Sequence, residues 1–146
     1  MARYIRSISG YNDAVEVRWR VDINQTIAVG DIVQIDGTSR WLEAAEPAST
    51  TLVGIAQEAI TTGGTVTASD EIGIIPLTGI VVRMAYTGSS KTSLADTDLA
   101  TTLFDIDNGT TIDLDDTTGG MCSVVDYDNT LDTADVIFAA ANVVRL

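Results

Sequence analysis

From Val15 to Ile23 apolar and polar residues alternate without a break: Val15, Val17, Trp19, Val21 and Ile23 fall on one side, Glu16, Arg18, Arg20 and Asp22 on the other. Successive side chains of a strand point to opposite faces, so this period of two predicts a half-buried strand over 15–23. Its polar face alternates in charge, which suits either cross-strand ion pairs or the rim of an interface. Residues 32–35 and 40–44, separated by Asp36-Gly37-Thr38-Ser39, read as a hairpin. Pro47 and the run Ser49-Thr50-Thr51 interrupt the pattern before 52–56 resumes it. Thr61-Thr62-Gly63-Gly64 marks a further turn, with strands expected at 66–68, 72–75 and 80–86. Pro76 has no N–H to give a ladder and is expected at a strand end or an edge.

Beyond the connector Gly88-Ser89-Ser90-Lys91, a helical turn is expected at 93–100, capped by Ser93 with Asp96 three residues on. Over 102–114 the pattern predicts a hairpin with a three-residue loop, Asp107-Asn108-Gly109, pairing Ile106 with Thr110 and Phe104 with Ile112. That register gathers Phe104, Ile106, Ile112 and Leu114 on one face. Asp105, Thr111, Asp113 and Asp115 turn to water, and Gly109 supplies a left-handed residue. Strands at 121–125 and 136–140 and a tail at 143–146 complete the chain. The two halves, 24–87 and 93–146, resemble one another: 31–37 matches 102–108, 51–56 matches 120–125, and 72–75 matches 136–139. Duplication is one reading of this similarity, and two generic hairpins are the other.

Composition points the same way, since Val, Ile and Thr supply 49 of 146 residues and Leu only 9. Branching at Cβ suits a pleated surface. The expected fold is all-β, organised as an N-terminal arm (1–11) and a single β domain (12–146). The formal charge of -13 is unevenly spread. Arg3, Arg6, Arg18 and Arg20 outnumber Asp13 and Glu16 in the first twenty residues, whereas 92–144 carries eleven acidic residues and no Lys or Arg. Such a surface repels phosphate, which argues against nucleic-acid partners. The longest apolar run, 136–141, is too short to span a bilayer, so no membrane partner is expected. Cys122 is the only cysteine; it lies in an apolar run and is expected to be buried and inert. The first residues lack the apolar core of a signal peptide, and a reducing, aqueous setting is expected.

Catalytic motifs are missing. With no histidine, imidazole acid–base chemistry, Ser-His-Asp triads and HExxH zinc sites are excluded. No phosphate-binding glycine loop occurs, and Asp116-Thr117-Thr118-Gly119 departs from an aspartic-protease motif by an extra threonine. The run from Asp105 to Asp116 superficially matches a calcium loop, but its glycine falls at position five and its twelfth residue is Asp rather than Glu. The expectation is a non-enzyme without cofactor or metal.

Three segments carry a resemblance to a known family: 26–37, with its Gly30-Asp31-Ile32-Val33; then Leu52-Val53-Gly54-Ile55-Ala56; then 65–75 followed by Leu77-Thr78-Gly79. In these the chain resembles the small β-rich decoration, or cement, proteins of tailed bacteriophage capsids. The resemblance implies a small β-barrel or β-tulip-like body, with a sandwich body as the alternative, that forms a homotrimer at three-fold or quasi-three-fold positions on the outer surface of the virion. There it would bind the major capsid protein and stabilise contacts between its subunits. Arg3, Tyr4, Ile5 and Arg6 of the arm, with Arg18 and Arg20, are the candidate capsid-binding residues, and an ordinary edge strand is the other reading of the arm. Competing functions are another phage structural component, such as a head spike, tail-tube or adaptor domain, and a carbohydrate- or ligand-binding β-sandwich.

Overall fold

The computed structural model describes residues 1–8 and 15–146. Strand takes 45% of the described residues and helix 2%, so the fold is all-β. In chain order the strands are β1 (Arg3–Ser7), β2 (Val17–Arg20), β3 (Thr26–Ile27), β4 (Ile32–Ile35), β5 (Leu42–Ala44), β6 (Leu52–Ala56) and β7 (Ile60–Thr61). Then follow β8 (Glu71–Pro76), β9 (Ile80–Thr87), β10 (Leu103–Asn108), β11 (Thr111–Asp113), β12 (Cys122–Asp128) and β13 (Thr133–Phe138).

These strands build two rings of the same order. In the first, β2-β8-β6-β4-β5, all neighbours are antiparallel. Its gap is closed by a parallel bridge from Val21 to Leu42 and by the Asp22 N–H donating to the Leu42 carbonyl at 2.8 Å. In the second, β9-β13-β12-β10-β11, the antiparallel ladder closes where β11 runs parallel to β9 at 85–87. In each ring the opening strand therefore lies between the fifth, antiparallel, and the third, parallel. The strands β3 and β7 form a separate ribbon, and β1 adds to the second barrel on β9.

The sequence similarity between the halves thus aligns β4 with β10, β6 with β12 and β8 with β13. Its boundaries need correction, however. By strand order the second unit opens with β9, which the sequence reading placed at the end of the first, and the first unit opens with β2, before residue 24. An opening strand pairs with the last strand of its unit some fifty residues away, and no local pattern records that partnership.

Two apolar clusters explain why some strands alternate and others do not. Val33, Ile35, Val53, Ile72 and Ile74 fill the first barrel together with Val21, Ile27 and Leu42. Ile32, Leu52 and Ile55 belong instead to the cluster of the second barrel, with Phe104, Ile106, Ile112, Leu114 and Val136. Each of β4 and β6 is buried along its whole length. A strand with no wet face need not alternate; β6 is apolar throughout, and the one polar residue of β4, Gln34, is buried with its amide donating to Glu43 and accepting the Glu46 N–H. Main-chain bonds reinforce the junction: Ile32 N–H donates to the Gly109 carbonyl at 2.7 Å, and Leu52 exchanges bonds with Asn142 (3.0 Å) and Val144 (2.7 Å) of the C-terminal tail.

Several expected elements differ. The strand at 15–23 contracts to β2 and the bridge at Val21, leaving Val15 69% and Ile23 42% exposed. The chain turns away after Asp22, whose carboxylate accepts the Ile23 N–H, and Asn24 takes a positive φ of 56°. Residues 66–68 form no strand, because Asp70 accepts from the N–H and hydroxyl of Thr67 and closes a turn there. The helical turn is confined to Asp96–Asp98; it starts from Ala95, not Ser93, with the Ala95 N–H donating to the Asp98 carboxylate at 2.8 Å. The last two strands run further than expected, through Asp128 and from Thr133, because a bulge after Val124 resets the alternation.

The β10–β11 hairpin gathers the four expected apolar residues by a different register. Ile106 pairs with Ile112, not with Thr110, and the tip is Gly109-Thr110 with a bulge between Ile106 and Asn108. Asp105 is buried rather than solvated, since the loop before β6 covers it and the Ala48 N–H donates to its carboxylate at 3.1 Å. Gly109 is not left-handed; its constraint is contact, because a Cβ there would lie 2.6 Å from the Ile32 carbonyl oxygen. Gly109→Ala and Gly109→Asn are therefore expected to lose similar stability, about 1–3 kcal/mol, in denaturant unfolding. A left-handed constraint would spare the Asn variant, so tolerance of Asn alone would reject the close-approach account.

Candidate functional site

Residues 3–7 of the expected arm are strand β1, docked on β9, while residues 9–11 of the arm and 12–14 of the body lie outside the described residues. Ala2 is buried with its N–H on the Gly30 carbonyl at 2.7 Å, and Tyr4 packs against the core of the second barrel. Alternation then sends Arg3 outward, while a bulge between Tyr4 and Arg6 leaves Arg6 exposed as well. Ile5 is half-buried at that bulge. Among the described residues neither Arg3 nor Arg6 has an ion-pair partner.

Arg18 and Arg20 are committed elsewhere, to the first barrel. Arg18 donates to Glu58 at 2.8 and 3.2 Å and to Glu71 at 2.8 Å. Hydrogen bonds to these two carboxylates raise the Arg18 pKa, and the same contact lowers that of Glu58. The Arg20 guanidinium lies 4.1 Å from the centre of the Trp41 ring and donates to the Val66 carbonyl at 3.1 Å. Trp19, on the same strand, donates to the Arg40 carbonyl at 3.0 Å. Of the six candidates, the structure brings Arg3, Tyr4, Ile5 and Arg6 together on one strand and holds Arg18 and Arg20 in another barrel.

Beside Arg3 lies a group of charges that the sequence reading did not single out. Arg3 faces Arg83 across β1 and β9, Arg83 faces Asp135 across β9 and β13, and Asp135 faces Asp126 across β13 and β12. Arg83 and Asp135 form a two-pronged pair at 2.6 and 2.9 Å, whose hydrogen bonds raise the pKa of Arg83. Asp126 is exposed at the far end of the row. Arg83 is conspicuous in sequence as the one cation in an apolar strand, but its partner fifty-two residues away is visible only through the sheet register.

Other carboxylates serve the scaffold. Asp115 accepts the main-chain N–H groups of Lys91, Ser90 and Ser89, which depress its pKa and tie the 88–91 connector to the barrel. Asp36 is lowered likewise by the N–H groups of Ser39 and Thr38. Cys122 is buried, and burial, helped by Asp105, pushes its thiol up to about 12. Among the described residues no three metal-ligating side chains converge. Compared with known proteins, the chain matches no family model and no curated protein.

Because Asp115 and Asp36 titrate lower in the folded chain than unfolded, their contribution is complete above the ordinary Asp value of about 4 and is lost as pH falls through the depressed folded values. Thermal melts are therefore expected to fall steeply on acidification below about pH 4. Asp115→Asn is expected to melt lower than wild type at neutral pH and to lose less on acidification; an unchanged pH dependence would show that the connector contact contributes nothing.

Proposed function

We propose that this protein is a structural binding module that decorates an assembled bacteriophage shell and stabilises contacts between major capsid protein subunits. The observation that carries this reading is the distribution of cations. Arg18, Arg83 and Lys91 are paired within the chain, whereas among the described residues Arg3 and Arg6, like Arg20, Arg40 and Arg145, have no ion-pair partner, and these two stand together on an edge strand of an otherwise acidic body. Arginine flanked by aromatic and apolar residues is a common interface anchor, and Tyr4 and Ile5 supply that flank. Two barrels sharing a core offer a preformed surface, so binding orders little chain and spends little entropy. The gain to the shell is mass action: a ligand that binds the assembled lattice and not free subunits raises the resistance of that lattice to dissociation. Three copies around each three-fold position would give three equivalent contacts.

Co-sedimentation with assembled shells and with free capsid subunits tests the proposal. The protein is expected to pellet with shells only. Removing 1–9 is a poor probe, since it strips Ala2 and Tyr4 from the core. Arg6 is exposed, so Arg6→Glu is expected to fold and to weaken shell binding roughly tenfold at low salt, with the difference shrinking as salt rises. Failure of the wild type to pellet with shells at any salt would overturn the function.

A further inference from the structure

The β10–β11 hairpin carries Asn108-Gly109 at its tip, the one place in the chain where glycine follows asparagine. We propose that Asn108 is a site of spontaneous covalent modification, in which its side-chain amide is displaced by the Gly109 main-chain nitrogen and an aspartate or isoaspartate is left. Three observations converge on this residue. The Asn108 Oδ1 accepts the Thr110 N–H at 2.8 Å and the Thr110 hydroxyl as well. Two donors on a carbonyl oxygen draw electrons from its carbon and stabilise the negative charge that the oxygen takes on when that carbon is attacked. The same bonds fold the side chain forward along the turn, past Gly109 and towards residue 110. Among the described residues the Gly109 N–H makes no hydrogen bond, and glycine sets no side chain beside its nitrogen. Asn108 is itself exposed, so water reaches its carbonyl carbons.

Water is the only co-reactant. The Gly109 nitrogen bonds to Asn108 Cγ, the Cγ–Nδ2 bond breaks, and ammonia leaves with the proton that the attacking nitrogen gives up. A five-membered imide ring remains. Water then adds to one of its two carbonyl carbons and breaks that carbon's bond to the ring nitrogen. Opening at Cγ gives aspartate with the main chain unchanged; opening at the main-chain carbon gives isoaspartate, in which the chain reaches Gly109 through Cγ and is longer by one atom. The first product keeps a side-chain oxygen for Thr110. The second has no room, because the Gly109 carbonyl holds the Ile32 N–H at 2.7 Å and even a Cβ at 109 would lie 2.6 Å from the Ile32 carbonyl oxygen. An added backbone atom beside so close an approach displaces the tip and loosens the seat of the second barrel on the first. The chain also supplies the contrast. Glycine follows aspartate once, at Asp36-Gly37, whose carboxylate is held ionised by the N–H groups of Ser39 and Thr38 at 2.6 and 2.8 Å and is thereby a poor electrophile. Asn12, Asn24, Asn129 and Asn142 precede Asp, Gln, Thr and Val, whose side chains crowd the attacking nitrogen.

Prolonged incubation of the folded full chain at mildly alkaline pH, which favours deprotonation of the attacking nitrogen, followed by peptide mapping with mass spectrometry, tests this. The peptide that contains residue 108 is expected to show the amide-to-acid mass change and to split into two products, with Asp36 and the other asparagines intact. Thr110→Val keeps the main-chain donor and the side-chain shape but removes the hydroxyl, and is expected to slow the loss several-fold. Asn108→Asp has the composition of the first product and is expected to melt with wild type. Aged protein enriched in isoaspartate is expected to melt lower than both. An Asn108 that survives incubation, loss spread evenly over the asparagines, or an undiminished rate in Thr110→Val would overturn the site; aged protein that melts with Asn108→Asp would overturn its effect on the barrel junction.

Discussion

The close approach of the β10–β11 hairpin to strand β4 is the constraint on which the remaining architecture depends. Gly109 lies against the backbone of Ile32 with no room for a Cβ, and its carbonyl takes the Ile32 N–H. That contact seats the tip of the second barrel on the first and turns the outer faces of β4 and β6 into core. Ile32, Leu52 and Ile55 would otherwise be an exposed apolar stripe on the first barrel. Burying them stabilises the pair at roughly 25 cal/mol for each Å² removed from water, so neither barrel is expected to keep its full stability alone. The C-terminal tail, bonded to Leu52 on both sides, fixes the same junction from the other direction.

Once the barrels are joined, their charges separate into two populations. Arg18 with Glu58 and Glu71, Arg83 with Asp135, and Lys91 with Asp98 are spent within the chain. Most carboxylates that do not face a cation face main-chain N–H groups instead, as Asp36, Asp70 and Asp115 do, and close turns. A protein of formal charge -13 thus uses much of its negative charge as local architecture. Among the described residues Arg3 and Arg6 on β1 have no ion-pair partner, and Arg3 is the positive end of the row whose exposed negative end is Asp126.

Some of this was legible in the sequence. The β-branched composition and the spacing of turn residues determined the all-β class, the hairpin of β4 and β5, the end position of Pro76 and the buried thiol of Cys122. The likeness of the halves was visible where the segments of strands β4 and β10 share an apolar rhythm. These properties depend on residue type and on neighbours a few positions away. Tertiary structure decided the rest. Whether Val15 and Ile23 are covered, where each ring of strands opens, and why Gly109 must be glycine all depend on partners tens of residues distant. The same is true of the candidate site. Arg3 and Arg18 are equivalent as residues in a basic segment, but Glu58 and Glu71 pair with Arg18, while Arg3 has no ion-pair partner among the described residues. A row that joins residues 3, 83, 135 and 126 exists only in the register of the folded sheet, because pairing across strands is set by barrel closure rather than by any local pattern.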